Sequence, residues 1–329
     1  MSPKPKLAMY WASSCGGCEI AFVNLHEKIL DVDAHFDFVF CPCLLDTKKK
    51  DVERMEDGSI AITLFNGAIR TEENEEMAQL LRRKSGLLVA YGACAWQGGI
   101  PSLSNFHAKD AHFETIYLSG PTIDNPGNVI PQPSTEVPEG TLHLPRFYEK
   151  VKALAEVVEV DYFMPGCPPE SQQIWKVVEA MVKGCPLPPR GSVIGAGTST
   201  VCDECARVKH DKAVKALHRT FEIEPDPKTC LLEQGIICMG IATRDGCTAL
   251  CPKVNMPCTG CYGPPEGVTD QGAKMVSALG SILDVGEYKG MTPEQLAERV
   301  DAMLDSVPDP AGTYYKYAAA ASMLGGRTA

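Results

Sequence analysis

The sequence lacks any apolar run long enough to cross a membrane. No stretch of about eighteen apolar residues occurs in its 329 residues. The first residues contain no twin arginine and no apolar run of signal-peptide length. We therefore expect a soluble cytoplasmic protein with no membrane partner.

The sequence also lacks a cluster of basic residues suited to a phosphate backbone. It has 31 Lys and Arg against 42 Asp and Glu, and the net charge of -11 is spread along the chain. A nucleic-acid partner is therefore not expected.

Cysteine, in contrast, is abundant, with fifteen residues in the chain. Disulfides are rare in the cytosol, where thiols are kept reduced. The count is odd and many of the cysteines form close pairs of the kind that clamp metals. Metal ligation is therefore the favoured explanation for these residues.

Short apolar runs alternate with helical patterns from Lys6 to about Lys183, which indicates βαβ units and a mostly parallel sheet. Strands are predicted at residues 7–11, 36–40, 60–65, 87–91 and 161–164, and helices at 19–30, 73–84, 147–157 and 170–182. The polar segment from Ser102 to Pro145 is rich in Pro, Asn, Gly and Ser, and we predict that it is a partner-facing insertion.

The character of the sequence changes after Cys185. Residues 186–191 contain three prolines and a glycine, and the following residues to about Pro265 have many cysteines, glycines and prolines but little periodicity. We therefore predict two domains, residues 1–185 and residues 186–329. The second domain ends in a helical tail, in which Thr292 caps a helix at 292–300.

Four cysteines, which we call the first set, lie where predicted strands end: Cys15, Cys18, Cys94 and Cys167. The carboxyl ends of parallel strands share one edge of a sheet, so these thiols are expected to converge. Adjacent glycines let the backbone approach a bulky iron-sulfur cluster. The pair Cys15-Gly-Gly-Cys18 alone also fits a redox dithiol, but that chemistry does not require the other two cysteines. Glu19, in the first helical turn, is expected to compensate the helix dipole.

Eight further cysteines form two groups of four. In chain order they are Cys202, Cys205, Cys230, Cys238, Cys247, Cys251, Cys258 and Cys261. Paired C-x2-C motifs also build zinc sites, so a zinc-stabilised interaction scaffold is an alternative. The run Cys247-x3-Cys251-Pro252 and the absence of histidine favour iron-sulfur clusters. The remaining cysteines are predicted to be buried free thiols: Cys41, Cys43 and Cys185.

Three motifs resemble the proximal-cluster motifs of the nickel-iron hydrogenase small subunit: Cys15-Gly-Gly-Cys18, Gly92-Ala93-Cys94 and Gly166-Cys167-Pro168-Pro169. These motifs are shared in part with a subunit of respiratory complex I, and the resemblance extends over about residues 7–265. It implies a flavodoxin-like α/β parallel-sheet domain and a C-terminal loop-rich iron-sulfur domain. It further implies that the first set holds a proximal 4Fe-4S cluster. By position in the family, a second set, Cys202, Cys205, Cys230 and Cys238, would hold a distal cluster, and a third set, Cys247, Cys251, Cys258 and Cys261, a medial cluster, although ligands could exchange between these two.

The resemblance implies electron transfer, with no catalytic residue and no nickel site on this chain. A large subunit would activate hydrogen, and electrons would pass through three 4Fe-4S clusters to an iron-sulfur or flavin subunit. Periplasmic members carry a histidine at the position of Cys202 and commonly a proline near Cys251. The all-cysteine pattern looks like the cytoplasmic viologen-reducing hydrogenases that work with heterodisulfide reductase. A complex I-like subunit is an alternative, but such subunits typically lack the cysteines found after Val201.

Overall fold

The computed structural model describes residues 3–210, 213–284, 286, 290–307 and 309–325. Its strands are β1 (Lys6–Trp11), β2 (Asp37–Phe40), β3 (Ile60–Asn66), β4 (Ile69–Thr71), β5 (Ser85–Tyr91), β6 (Ser134–Val137), β7 (Gly140–His143), β8 (Phe147–Lys152), β9 (Tyr162–Met164) and β10 (Ser192–Val193). Its α-helices are α1 (Gly17–Val23), α2 (Ile29–His35), α3 (Lys49–Glu53), α4 (Glu72–Lys84), α5 (Ala93–Gln97), α6 (Lys109–Glu114), α7 (Ser171–Val182), α8 (Val201–Glu204), α9 (Leu250–Lys253), α10 (Gln271–Ile282), α11 (Pro293–Leu304) and α12 (Pro310–Tyr314). Short segments of 3-10 or π-helix lie at His26–Lys28, Ile100–Phe106, Thr115–Ser119, Leu154–Glu156, Leu232–Gln234 and Met239–Ala242.

Six strands form one parallel sheet in the order β10-β9-β5-β3-β1-β2. All five predicted strands belong to this sheet. Apart from the edge strand β10, the order is that of a flavodoxin-like fold, in which the chain reverses direction across the sheet next to β1. The predicted α/β fold class is therefore confirmed.

Helices cover both faces of the sheet, which is why its central strands are almost continuously apolar. On one face, alternate side chains of β1, β3, β5 and β9 pack against α1, α2 and α7, with Phe22 and Ile174 fully buried. On the other face, the intervening side chains pack against α4 and α5, and Leu81 and Leu88 are fully buried. These two cores hold rigid the sheet edge to which the first set is attached.

The C-terminal half has a third core and little regular structure. Residues from the short helices, α10 and α12 form this core, including Val201, Met239, Met275 and Tyr314. Most of the backbone here lies in loops, as the lack of periodicity in the sequence indicates. Among the residues that the structure describes, no helix is both long and apolar enough to span a membrane.

Two helix predictions need correction. Residues 147–157 form the strand β8 and one 3-10 turn, because β8 pairs antiparallel with β4 outside the main sheet. Residues 19–30 are not one helix: α1 ends at Val23, and His26 has a φ of 55°, which a right-handed α-helix does not accommodate. The predicted insertion after Ser102 contains α6 and the hairpin β6–β7.

A buried carboxylate joins the sheet to the proline-rich segment that follows α7. Asp161, whose side chain is fully buried, accepts hydrogen bonds from Arg82 at 2.6 Å and from the N–H of Leu88 at 2.7 Å, and it forms an ion pair with Arg190 at 3.0 Å. Burial raises the pKa of Asp161, but the hydrogen bonds and the two guanidinium charges outweigh burial and hold this pKa below its usual value.

We expect Asp161→Asn to destabilise the protein by about 3 kcal/mol at neutral pH, because it leaves the largely buried guanidinium of Arg82 without its anion, whereas Arg190 is exposed and contributes little. Because the pKa of Asp161 is lower in the folded state than in the unfolded state, its carboxylate stabilises the fold at pH values above the unfolded-state pKa. This stabilisation is lost as the pH falls through the folded-state pKa. The difference from wild type should therefore shrink below about pH 4. Urea midpoints at neutral and acid pH measure this. The control Asp46→Asn, which breaks an exposed pair with Lys48, should leave the midpoint unchanged.

Candidate functional site

The first cysteine set lies at one edge of the sheet. Cys15 and Cys18 follow β1, and Cys18 is in the first turn of α1. Cys94 is in α5, directly after β5, and Cys167 follows β9. Because these strands are parallel, their carboxyl ends bring the four cysteines to the same crevice.

The thiols of the first set lie close enough to influence one another. Burial raises the pKa of Cys18, and the charges of the other three cysteines and of Glu19 raise it further. Burial, then the charges of Cys167 and Cys15, raise the pKa of Cys94 to about 12. Burial and Cys15 likewise raise the pKa of Cys167. Four thiols with such mutual interactions form one site, and a positively charged metal group would relieve their repulsion.

Glycines leave room beside these sulfurs. Gly92 has a φ of 89°, and a Cβ at this residue would lie 2.7 Å from the sulfur of Cys18. A Cβ at Gly99 would lie 2.4 Å from the sulfur of Cys94. Any side chain at either position would therefore occupy space next to a cysteine sulfur, and both the donor chemistry and this space fit an iron-sulfur cluster.

Glu19 lies in the first turn of α1, where its charge opposes the helix dipole as expected, but it is buried. One carboxylate oxygen accepts a hydrogen bond from Asn66, whose amide also donates to the Tyr10 carbonyl at 3.0 Å. The other oxygen has no hydrogen-bond partner among the described residues. Glu19 therefore places a negative charge close to Cys18.

The second set lines one small cavity in the C-terminal half. All four cysteines of this set lie on its wall, together with Gly240 and Lys209. The pKa of Cys202 is raised to about 12, first by burial and then by the charges of Cys238, Cys230 and Cys205, while the charge of Lys209 acts in the opposite direction. A Cβ at Gly240 would lie 3.2 Å from the sulfur of Cys202. The structure therefore brings together the four residues of the set that the family resemblance implied.

The third set is more extended. Burial raises the pKa of Cys247 despite hydrogen bonds from the N–H groups of Leu250 and Ala249, and Cys251 adds to the rise. The pKa of Cys261 is raised to about 12, mainly by burial and further by the charges of Cys247, Cys167 and Cys251. The backbone N–H of Cys167 acts in the opposite direction. Cys258 is buried, and the charges that raise its pKa further come from Cys238 and Cys261.

Two pairs of neighbouring cysteines relate the three sets. Cys261 of the third set lies close enough to Cys167 of the first for the Cys167 N–H to lower, and the Cys167 charge to raise, the pKa of Cys261. Cys258 of the third set donates its N–H to the sulfur of Cys238 in the second set at 3.3 Å. The third set therefore lies between the other two.

Two tyrosines that the sequence analysis did not identify border this junction. The Tyr262 hydroxyl donates to Gln173 on α7 at 2.7 Å, and the Tyr317 hydroxyl lies 3.1 Å from that of Thr259. Burial raises the pKa of both tyrosines, and the charge of Cys261 contributes to each rise. The position of Tyr262 directly after Cys261 was the only signal in the sequence.

Arg207 ties together the loops of the second and third sets. It is almost fully buried, and its guanidinium donates to the carbonyls of Pro252 (3.1 Å), Asp226 (2.8 Å) and Thr229 (2.9 Å). These residues adjoin or lie near Cys251 and Cys230. Arg244 makes a similar connection by donating to the Pro264 carbonyl at 3.1 Å. Sequence reasoning missed both arginines, because their partners are loop carbonyls.

Of the three remaining cysteines, only Cys41 is buried. The prediction of buried thiols is wrong for Cys43, which occupies a surface turn, and for Cys185, which follows α7 in the exposed proline-rich segment. Within the described ranges, no three His, Cys, Asp or Glu side chains are arranged to hold a single metal ion.

The chain is similar to several known proteins. Residues 15–181 match the family described as NADH ubiquinone oxidoreductase, 20 Kd subunit. The iron-sulfur subunit of the F420-non-reducing hydrogenase of Archaeoglobus profundus is 46% identical over 84% of this chain and 88% of its own length. The equivalent subunit of the F420-non-reducing hydrogenase of Methanothermobacter marburgensis is 39% identical over 98% of this chain and 97% of its own length. A chain of the [NiFeSe]-hydrogenase from Dm. baculatum superposes with a TM-score of 0.51 at 18% identity, covering 81% of this chain and 96% of that one, and supports the fold.

Proposed function

This chain belongs to the family of iron-sulfur subunits of F420-non-reducing hydrogenases, and we propose that it is the electron-transfer subunit of a nickel-iron hydrogenase. It also belongs to the broader family described as NADH ubiquinone oxidoreductase, 20 Kd subunit. It is thus a subunit of an oxidoreductase whose catalytic nickel lies on another subunit.

The observation that supports this proposal is the order of the three cysteine sets, in which the third set lies between the other two. Cys167 and Cys261 connect the first set to the third, and Cys258 and Cys238 connect the third to the second. When bound, 4Fe-4S clusters would supply one-electron carriers at these three positions. The order supports a proximal, medial and distal role for the first, third and second sets, respectively.

The chain's own residues would hold the clusters and control their surroundings. In the first set, Cys18 and Cys94 are buried, Cys167 is partly exposed and Cys15 is exposed. The set lies beside Glu19, whose negative charge favours the oxidised state of a nearby cluster. Lys209 lies beside the second set, where a positive charge has the opposite effect. We therefore propose that these two charged residues help to set different potentials at the two ends of the path.

The large subunit would dock where the first set approaches the surface. Cys15 is exposed at that edge, and Trp11, Ile20 and Val23 expose large apolar side chains near it. Exposed apolar side chains next to a redox site favour a protein partner. We propose that this partner is the nickel-iron large subunit and that the complex is cytoplasmic. We further propose that an iron-sulfur or flavin subunit linked to heterodisulfide reductase accepts electrons at the second set.

Metal analysis tests the proposed function. Anaerobically purified protein should contain about twelve iron and twelve acid-labile sulfide per chain, as three cubanes require, with a broad visible absorbance. About two zinc and no sulfide would reject this proposal in favour of the zinc-stabilised scaffold. About four iron per chain would instead indicate a complex I-like subunit with only the first set loaded.

We expect Cys251→Pro to convert the cluster of the third set to a 3Fe form with a raised potential, because it removes one negatively charged ligand. Proline should fit, since Cys251 lies in the first turn of α9, where N–H groups have no partner within the helix. EPR of the oxidised protein detects the 3Fe form, and EPR of the reduced protein detects the cubanes. Cys185→Ser should leave all signals unchanged, and an unaltered cubane signal in Cys251→Pro would remove this residue from the ligand set.

A further inference from the structure

Two cysteines outside the three sets lie together at the carboxyl end of β2. Cys41 directly follows this strand, and its carbonyl accepts the N–H of Leu44 at 2.9 Å and that of Leu45 at 2.8 Å. Pro42 occupies the second position of the resulting turn, which proline favours. Such a turn keeps the Cα atoms of its first and third residues about 5.5 Å apart, a separation that a disulfide can span.

The two thiols differ in accessibility. Cys41 is only 1% exposed and packs in the core beneath β2, whereas Cys43 is exposed. The two thiols are also close enough for each to affect the pKa of the other. A reagent in solution can therefore reach Cys43, and the neighbouring thiol is positioned to react with the product.

We propose that Cys41 and Cys43 form a thiol-disulfide exchange site that reacts with low-molecular-weight disulfides. The Cys43 sulfur attacks one sulfur of the small disulfide, forms a mixed disulfide and releases one small thiol. The Cys41 sulfur then attacks the sulfur of Cys43, closes an intramolecular disulfide and releases the second small thiol. The two cysteines lose two electrons and two protons, and the small disulfide gains both.

The environment of the pair makes this exchange slow rather than absent. Burial and the charge of Glu19 raise the pKa of Cys43, and a hydrogen bond from Cys41 offsets part of this rise. Burial and the charge of Cys43 raise the pKa of Cys41 to about 11. Since the thiolate is the attacking form, only a small fraction of the pair reacts at any moment near neutral pH. We therefore expect closure over minutes to hours.

The test uses anaerobic holoprotein and 2-hydroxyethyl disulfide as the probe. After incubation, the protein is denatured, free thiols are alkylated and tryptic peptides are weighed. Peptide 29–48 contains Cys41 and Cys43 and no other cysteine, and peptide 184–190 contains only the exposed Cys185. The probe concentration is raised until Cys185 carries a mixed disulfide, which proves that the reagent is active.

We expect peptide 29–48 to lose two hydrogens and to resist alkylation, with visible absorbance of the holoprotein unchanged and full reversal by added thiol. In Cys41→Ser, Cys43 should retain the hydroxyethylthio group, because the second step is removed. In Cys43→Ser, the probe should leave the peptide unmodified, so that Cys41 is recovered only in its alkylated form. Recovery of the wild-type peptide with two alkylated cysteines, or with a mixed disulfide that does not close, would overturn the proposal.

Discussion

Arg207→Met is expected to open the C-terminal half of the protein and to remove most of its iron. Methionine retains much of the length of the side chain but donates no hydrogen bond, so the buried carbonyl of Pro252 loses its charged donor. The carbonyls of Asp226 and Thr229 also lose this donor, although each still accepts a hydrogen bond from Gln234. The combined loss should be about 3 kcal/mol, since a hydrogen bond from a charged donor contributes about 1.5–3 kcal/mol and the Pro252 carbonyl is left unsatisfied. This corresponds to roughly a hundredfold more frequent local opening. Limited proteolysis after Cys185 measures the opening.

Iron content gives the second measurement for the same variant. The carbonyls that Arg207 binds adjoin or lie near ligands of both the second and the third set, so we expect a loss of up to about eight of twelve iron atoms. The first set should remain loaded, because its strands do not depend on this arginine. Arg219→Met is the control, since that guanidinium lies at the surface over the ring of Phe221. Wild-type iron content in Arg207→Met would show that cluster binding alone holds these loops.

The parallel sheet could be predicted from the sequence because its strands are short apolar runs that no helical period explains. The cysteines at their carboxyl ends follow from this prediction, since parallel strands share one edge. Local chemistry also identified the cap of α11: the hydroxyl of Thr292 accepts the N–H of Gln295 at 3.3 Å, and the Gln295 side chain accepts the Thr292 N–H at 3.0 Å. These signals lie within a few residues or depend on a fixed topology.

Features that depend on distant partners could not be predicted. Residues 147–157 have an apolar spacing compatible with a helix, but pairing with β4 makes their first half a strand. The role of Arg207 depends on three loops that meet only in the folded chain. The exposure of Cys43 depends on a surface turn, whereas Cys41, two residues earlier, faces the core. In each case tertiary contacts decide between states that local preference leaves open.

Gly92→Ala is expected to empty the first set selectively. Gly92 has φ 89° and ψ 166°, a region that only glycine adopts without a cost of about 1–3 kcal/mol. The added Cβ would also lie 2.7 Å from the sulfur of Cys18, so the thiol must move away from its three partners. Iron should fall by about four atoms per chain, with the clusters of the second and third sets retained. Metal analysis with EPR measures this loss.

Gly58→Ala separates the two causes of this effect. Gly58 also has a positive φ, 72°, but a Cβ there would meet nothing within 4 Å. We expect this control to lower stability by about 1–2 kcal/mol, through backbone strain alone, without loss of iron. If both variants lose the same amount of iron, backbone strain rather than displacement of Cys18 explains the loss. If Gly92→Ala keeps its full iron content, the space beside Cys18 is not part of a cluster site, and the proposed proximal position at this sheet edge is wrong.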